Sequence, residues 1–307
     1  MRENEKETPS YYDIPMVKHS EWTWMIPPYF ALGGITGASF VLARTAERFG
    51  GPHYRGLTRV GVLTSAAAFA PCPPLLILDL GDPMRFHHML RVFKPQSPMN
   101  VGSWTLTALS GCIGVALLRE IVGIESPLMK VALAGADLFG IPLGLMMAAY
   151  TGVLISTTST PVWTQNPWLG ALFSASAFDM AAASVTLGVE GAGQSGSPGS
   201  KALEPMSMIA RFTTAATLAG YLISAGELAQ PLTTGKYRAH IWGGAVTAGL
   251  VLPTVLEKVG RKSSATKITA AILALFGGFC LKWAIGSAGH VSGKDARAAR
   301  QSTRKRN

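Results

Sequence analysis

The chain has 307 residues, of which 14% are charged and 48% hydrophobic, yet it carries a formal net charge of +10. Soluble domains run near about 25% charged residues, so this composition, with a mean hydropathy of +0.28, excludes a disordered chain, disfavours a cytosolic enzyme and points to membrane insertion. Cys72, Cys112 and Cys280 lie far apart with no CxxC pair, which excludes a disulfide scaffold and a ferredoxin-type cluster held by this chain.

In chain order, a polar segment over residues 1–23 leads into eight apolar runs, each near the length of about 20 residues that crosses a hydrocarbon core. They are Trp24–Leu42, Gly56–Leu78, Trp104–Val122, Val131–Thr157, Trp168–Val189, Met206–Leu228, His240–Leu256 and Thr266–Ile285. Runs such as Ala132–Tyr150 show no polar face at helical spacing, as a soluble bundle requires. No cleavage site follows the first run, which reads as a retained span. An even number of spans puts both termini on one side. Lys and Arg divide almost evenly between the two faces, so the positive-inside rule leaves orientation open, and without the tail it favours termini outside. Gly191–Ser200 (GAGQSGSPGS) reads as a flexible loop, and residues 287–307 as a basic solvated tail with six Lys and Arg. No aromatic residues interleave with that basic charge, which speaks against nucleic acid.

The loop from Leu76 to Trp104 packs Asp79, Asp82, Arg85, His87, His88, Arg91 and Lys94 into a short surface. Such density in a charge-poor chain marks Asp82, Arg85, His87, His88 and Arg91 as a partner-docking face. Asn100 or Ser103 is the expected cap of the helix that follows. Ahead of the first span, His19 and Glu21 sit beside Trp22 and Trp24, side chains typical of a membrane interface. Gly33, Gly34, Gly37 and Ala38 read as a face for close helix packing. Pro71, Pro73 and Pro74 must break the second helix and so mark a cavity wall. All six histidines fall at span ends or in loops, which disfavours a haem held between helices. Polar groups inside spans are costly and default to functional candidates. Tyr150 can donate to a quinone carbonyl or anchor at the interface; Asp137 and Asp179 can serve a proton path or pair with Lys282 or Arg211.

On these residues the sequence resembles the NrfD-type membrane subunits of polysulfide reductases. The match runs through Tyr12, Pro15, Trp22, Trp24, Tyr29, Gly33 and Gly34, then LDLGDPMRF (Leu78–Phe86) and SPMNVGSW (Ser97–Trp104). It continues through YTGVLISTTSTPVW (Tyr150–Trp163), LFSASA (Leu172–Ala177) and LKWAIGSAGH (Leu281–His290). The resemblance implies an all-α integral membrane protein whose eight transmembrane helices, residues 24–286, form two four-helix bundles. It implies menaquinone or ubiquinone held by His19 and Tyr150, with Asp79 and Arg211 at proton-transfer positions; Asp137 joins these as a carboxylate inside a span, and the histidine and cysteine positions speak for no haem, cluster or metal in this chain. Partners would be an iron–sulfur subunit and a molybdopterin or multihaem catalytic subunit, in a bacterial inner membrane with the termini extracytoplasmic. Lys282 stands where the family usually has Arg, which puts an anchoring role there in doubt. The competing readings are a structural anchor without its own quinone site and an ion-translocating module.

Overall fold

A computed structural model describes residues 22–164, 166–259 and 263–293, and all regular structure among them is helical. α1 (Ile26–Gly50) turns back at Gly51, whose φ of 70° only a glycine adopts without strain, and packs along α2 (Arg55–Phe69) and α3 (Cys72–Asp79). A 3₁₀ segment (Pro83–Leu90) leads to α4 (Pro98–Val122), then α5 (Pro127–Ser156), α6 (Trp168–Gly191), α7 (Pro198–Ala225) and a short α8 (Gln230–Thr233). A π-helix (His240–Val251) runs on into α9 (Leu252–Val259), and α10 (Ser264–Ser292) closes the described chain.

Five stretches are long and apolar enough to cross a membrane: Ile26–Asp79, Pro98–Val122, Pro127–Ser156, Trp168–Gly191 and Ser264–Ser292. The first is 54 residues long, about 80 Å if straight, and it folds back at Gly51 into two helical limbs, α1 and α2–α3. α7 falls short because Arg211 and its threonines dilute the run, and the π-helix and α9 because each is short. Each of the eight apolar runs therefore coincides with a helical segment.

Three of the runs start well after their helices. Ser97, Ser126 and Ser197 each accept a hydrogen bond from the amide three residues on, and each is followed by proline at the first helical position. Serine offers an oxygen to an orphan amide and proline needs no partner for an amide it lacks. These Ser-Pro pairs start α4, α5 and α7 several residues ahead of the apolar runs. They also correct the expected cap of α4, which is Ser97 and neither Asn100 nor Ser103. The Gly191–Ser200 stretch is likewise not a free loop. Ser195 and Ser200 both donate to Glu190, and α7 already begins at Pro198. α10 extends to Ser292, so the tail begins later than residue 287.

α1 lies against α2, α5, α6 and α10 and is buried along most of its length. The expected small-residue face makes these contacts possible: Gly33 meets Met147, Gly34 meets Ala177 and Gly37 meets the backbone of Gly144. The closest approach of backbone to backbone joins the π-helix to α10, where a methyl group on Gly277 would fall 2.1 Å from Cα of Gly249. Both neighbours are backbone and neither can yield. Gly277→Ala is expected to cost about 1–3 kcal/mol in thermal unfolding of the purified chain, whereas Gly243→Ala, with nothing within 4 Å of the new methyl, should be silent.

Candidate functional site

At the end of the bundle where α1 begins and α5 ends, a cavity of about 410 Å³ opens between four elements. The start of α1 and the segment leading into it contribute Trp22, Ile26, Tyr29 and Phe30; α3 and its end contribute Leu76, Asp79 and Leu80. Met89, Met99 and Ser103 come from the loop and the start of α4, and Tyr150 and Leu154 from α5. The size lies in the range of small-molecule sites, as does the mix of apolar walls with few polar groups. The break between Phe69 and Cys72 in the proline-rich segment is what redirects α3 and brings Asp79 to this wall.

Tyr150 is 7% exposed, so it is no interfacial anchor. Its ring rests on α4 at Gly102, where a methyl group would lie 2.2 Å from the phenol oxygen. Glycine at 102 is thus the condition for Tyr150 to face the cavity. The hydroxyls of Tyr29 and Tyr150 meet no hydrogen-bond partner among the described residues. Asp79 is tied to the approach to α1, since the amide and hydroxyl of Thr23 both donate to its Oδ1, at 3.0 and 2.6 Å. Its Oδ2 has no partner among the described residues. The site thus presents two phenol donors and one carboxylate oxygen in an aromatic enclosure.

The residues expected to form a docking face lie beside the cavity. Asp82 caps the 3₁₀ segment by accepting from the Met84 amide and pairs with Arg85 at 3.0 Å; the imidazoles of His87 and His88 touch edge to face at 4.4 Å. Arg91 follows on the same exposed surface, interspersed with exposed Met84, Phe86, Val92 and Phe93. Asn100 holds this loop down: its side chain accepts from the Lys94 amide at 2.7 Å and donates to the carbonyls of Met89 and Val92 at 2.7 and 3.1 Å.

Asp137 and Arg211 lie elsewhere. Asp137 is 13 residues before Tyr150 on α5, about 20 Å along the helix, where Arg44 clasps it with Nε to Oδ1 at 2.6 Å and Nη2 to Oδ2 at 3.1 Å. Glu47 and Arg119 extend that network. Arg211 bonds Asp179 at 3.2 Å and grips Glu257 with two bonds of 2.7 and 2.6 Å. Lys282 is fully buried, with its ammonium 3.3 Å from the Phe173 carbonyl and 4.4 Å from that ring's centre. It meets neither Asp137 nor Asp179. Outside the helices, Glu125 in the α4–α5 loop is held below the usual carboxylate range by Arg55, which donates to it at 2.6 Å. His19 lies outside the described residues.

Sequence reasoning missed Tyr29 as a cavity donor, Gly102 as the seat of Tyr150, and Arg44 and Glu257 as ion-pair partners. For Tyr29 the signal was present in the motif around it; for the ion pairs there was none, because their partners are distant in the chain.

Two comparisons bear on this geometry. Residues 14–292 match the sequence model of the family described as "Polysulphide reductase, NrfD". The sequence is also 26% identical over 300 residues to the C subunit of the polysulfide reductase of Wolinella succinogenes, a match covering 88% of this protein and 94% of that one.

Proposed function

The chain belongs to the NrfD polysulphide reductase family, and from that premise we propose that it is the quinone-reactive membrane subunit of a respiratory oxidoreductase complex. In this reading it passes electrons between a quinone pool, menaquinone or ubiquinone, and an iron–sulfur subunit seated on the Asp82–Arg91 surface. A molybdopterin or multihaem subunit carries the terminal chemistry. The observation that carries the reading is the cavity itself: aromatic walls sized for a quinone head group, two phenol hydroxyls without a partner among the described residues, and a carboxylate held at its rim.

When bound, the quinone supplies paired electron and proton chemistry. The chain's own residues do the rest. Tyr150 donates a hydrogen bond to a carbonyl oxygen, and Gly102 lets it do so. Thr23 occupies one oxygen of Asp79 and leaves the other to exchange protons at the rim. His19, three residues before Trp22, supplies the second contact to the head group. Asp137 and Arg211 are assigned to the far end of any proton path across the bundle. Apolar enclosure strengthens each of these interactions by excluding water. The helices are read as eight transmembrane passes in two four-helix bundles, supported by the packing of α1 with α2 and α5 and of α4 with α5 in one half, and of α6 with α7 and α10 in the other. The termini are read as extracytoplasmic, in a bacterial inner membrane.

A photoreactive azidoquinone tests this in the complex isolated from membranes. Labelling is expected in peptides containing Trp22–Phe30, Leu76–Leu80 or Tyr150–Leu154, and excess natural quinone should suppress it. Labelling that excess quinone does not suppress, or none in these peptides, would instead favour an anchor without its own quinone site.

A further inference from the structure

Two segments of the chain that the cavity does not use meet at one side chain, Trp163. It is fully buried in the α5–α6 loop, and its indole Nε1 donates to the carbonyl of Ile285 on α10 at 2.7 Å. The ring sits in a notch of α10, because a methyl group on Gly289 would fall 2.1 Å from it. The loop is also pinned from α7, where the Tyr221 hydroxyl donates to the Val162 carbonyl at 3.0 Å. The indole stacks on Trp22, with ring centres 5.6 Å apart and planes inclined by 25°. Trp22 in turn meets Phe30 edge to face at 6.0 Å, and both line the cavity.

Trp22 precedes α1 and makes no hydrogen bond among the described residues. Among those residues, ring contacts hold it against the core. Of its two aromatic neighbours among the described residues, Phe30 belongs to the same helix start, so Trp163 is the one that fixes Trp22 against the second half of the chain. We propose that Trp163 is a positioning residue for the quinone site: it refers the Trp22 wall of the cavity to α10 and α7, so that the C-terminal helix sets how well the cavity grips its ligand. The inference rests on the quinone reading above.

The test measures the dissociation constant of a short-tailed quinone analogue by calorimetry, on the full chain in nanodiscs, well below its melting temperature. Trp163→Leu removes the stack, Trp163→Phe keeps a ring but loses the hydrogen bond, and Gly289→Ala pushes the indole from behind without touching the cavity. Binding is expected to weaken about tenfold in Trp163→Leu, as for one lost aromatic contact, and less in the other two. Phe40→Leu, which opens the core against α5 away from the cavity, should lower thermal stability and leave binding unchanged. A merely structural role would make the Trp163 and Gly289 variants behave like Phe40→Leu. Unchanged binding in Trp163→Phe and Gly289→Ala, both conservative enough to fold, overturns the inference alone. Absence of binding to the unmodified chain overturns the quinone reading, and this inference with it.

Discussion

Tyr150→Phe is expected to lower quinone-linked turnover of the intact complex by about 10- to 100-fold, within reach of what a single oriented donor supplies to a reacting carbonyl. Activity with an artificial dye that bypasses the membrane subunit should be unchanged. The change removes one oxygen from a 7% exposed side chain that has no hydrogen bond to lose among the described residues, so folding should be unaffected and the loss falls on the substrate contact. Gly102→Ala offers an independent route to the same defect, because the new methyl would displace the Tyr150 ring rather than alter it. If Tyr150→Phe turns over quinone at the original rate, the hydroxyl is an incidental feature of the wall.

Arg211→Leu is expected to cost about 3–5 kcal/mol of stability, the range for stranding buried carboxylates without their cation. Arg211 is 4% exposed, and its guanidinium joins Asp179 on α6 to Glu257 on α9. α7 and the π-helix–α9 segment touch little otherwise and leave a lateral groove of about 580 Å³ between them. The ion triad is therefore a principal tie between those helices. Replacing all three by leucine should recover most of the loss, because well-packed apolar groups can substitute for a buried ion cluster. Thermal unfolding of the single and triple variants decides it. A single variant as stable as the parent would show that the carboxylates find other partners or water.

What could be read from the sequence follows the range of each signal. Apolar runs report the cost of burying a local segment in lipid, so all eight helical segments could be found, and the proline cluster after Phe69 announced its own break. Helix starts lay in the Ser-Pro pairs at 97, 126 and 197, a local capping signal that hydropathy averages away. Asn100 was misplaced as a cap for a similar reason. Its sequence position fits a cap, but its amide satisfies three backbone groups of residues 89–94, a demand visible only in three dimensions.

Ion pairing was the least legible level. Arg44 reads as a loop charge because the apolar run ends before it, but α1 continues to Gly50 and buries it at 3% exposure against Asp137, 93 residues away. Asp179 found Arg211, one of its two expected partners; Asp137 did not, and Lys282 settled on the Phe173 carbonyl and ring instead. The candidate site divided along the same line. Asp79 and Tyr150, each carried by its own motif, share one cavity, whereas Asp137, grouped with them as a charge in an apolar run, and Arg211, grouped with them by the resemblance, sit in ion pairs elsewhere.

The measurement that bears most directly on the central claim is a cryo-electron microscopy map of the complex with a quinone analogue bound. Density for the head group is expected between α1, α3, α4 and α5, within hydrogen-bond reach of the Tyr150 hydroxyl and beside Asp79. A head group resolved elsewhere, with this cavity filled only by side chains or solvent, would contradict the assignment.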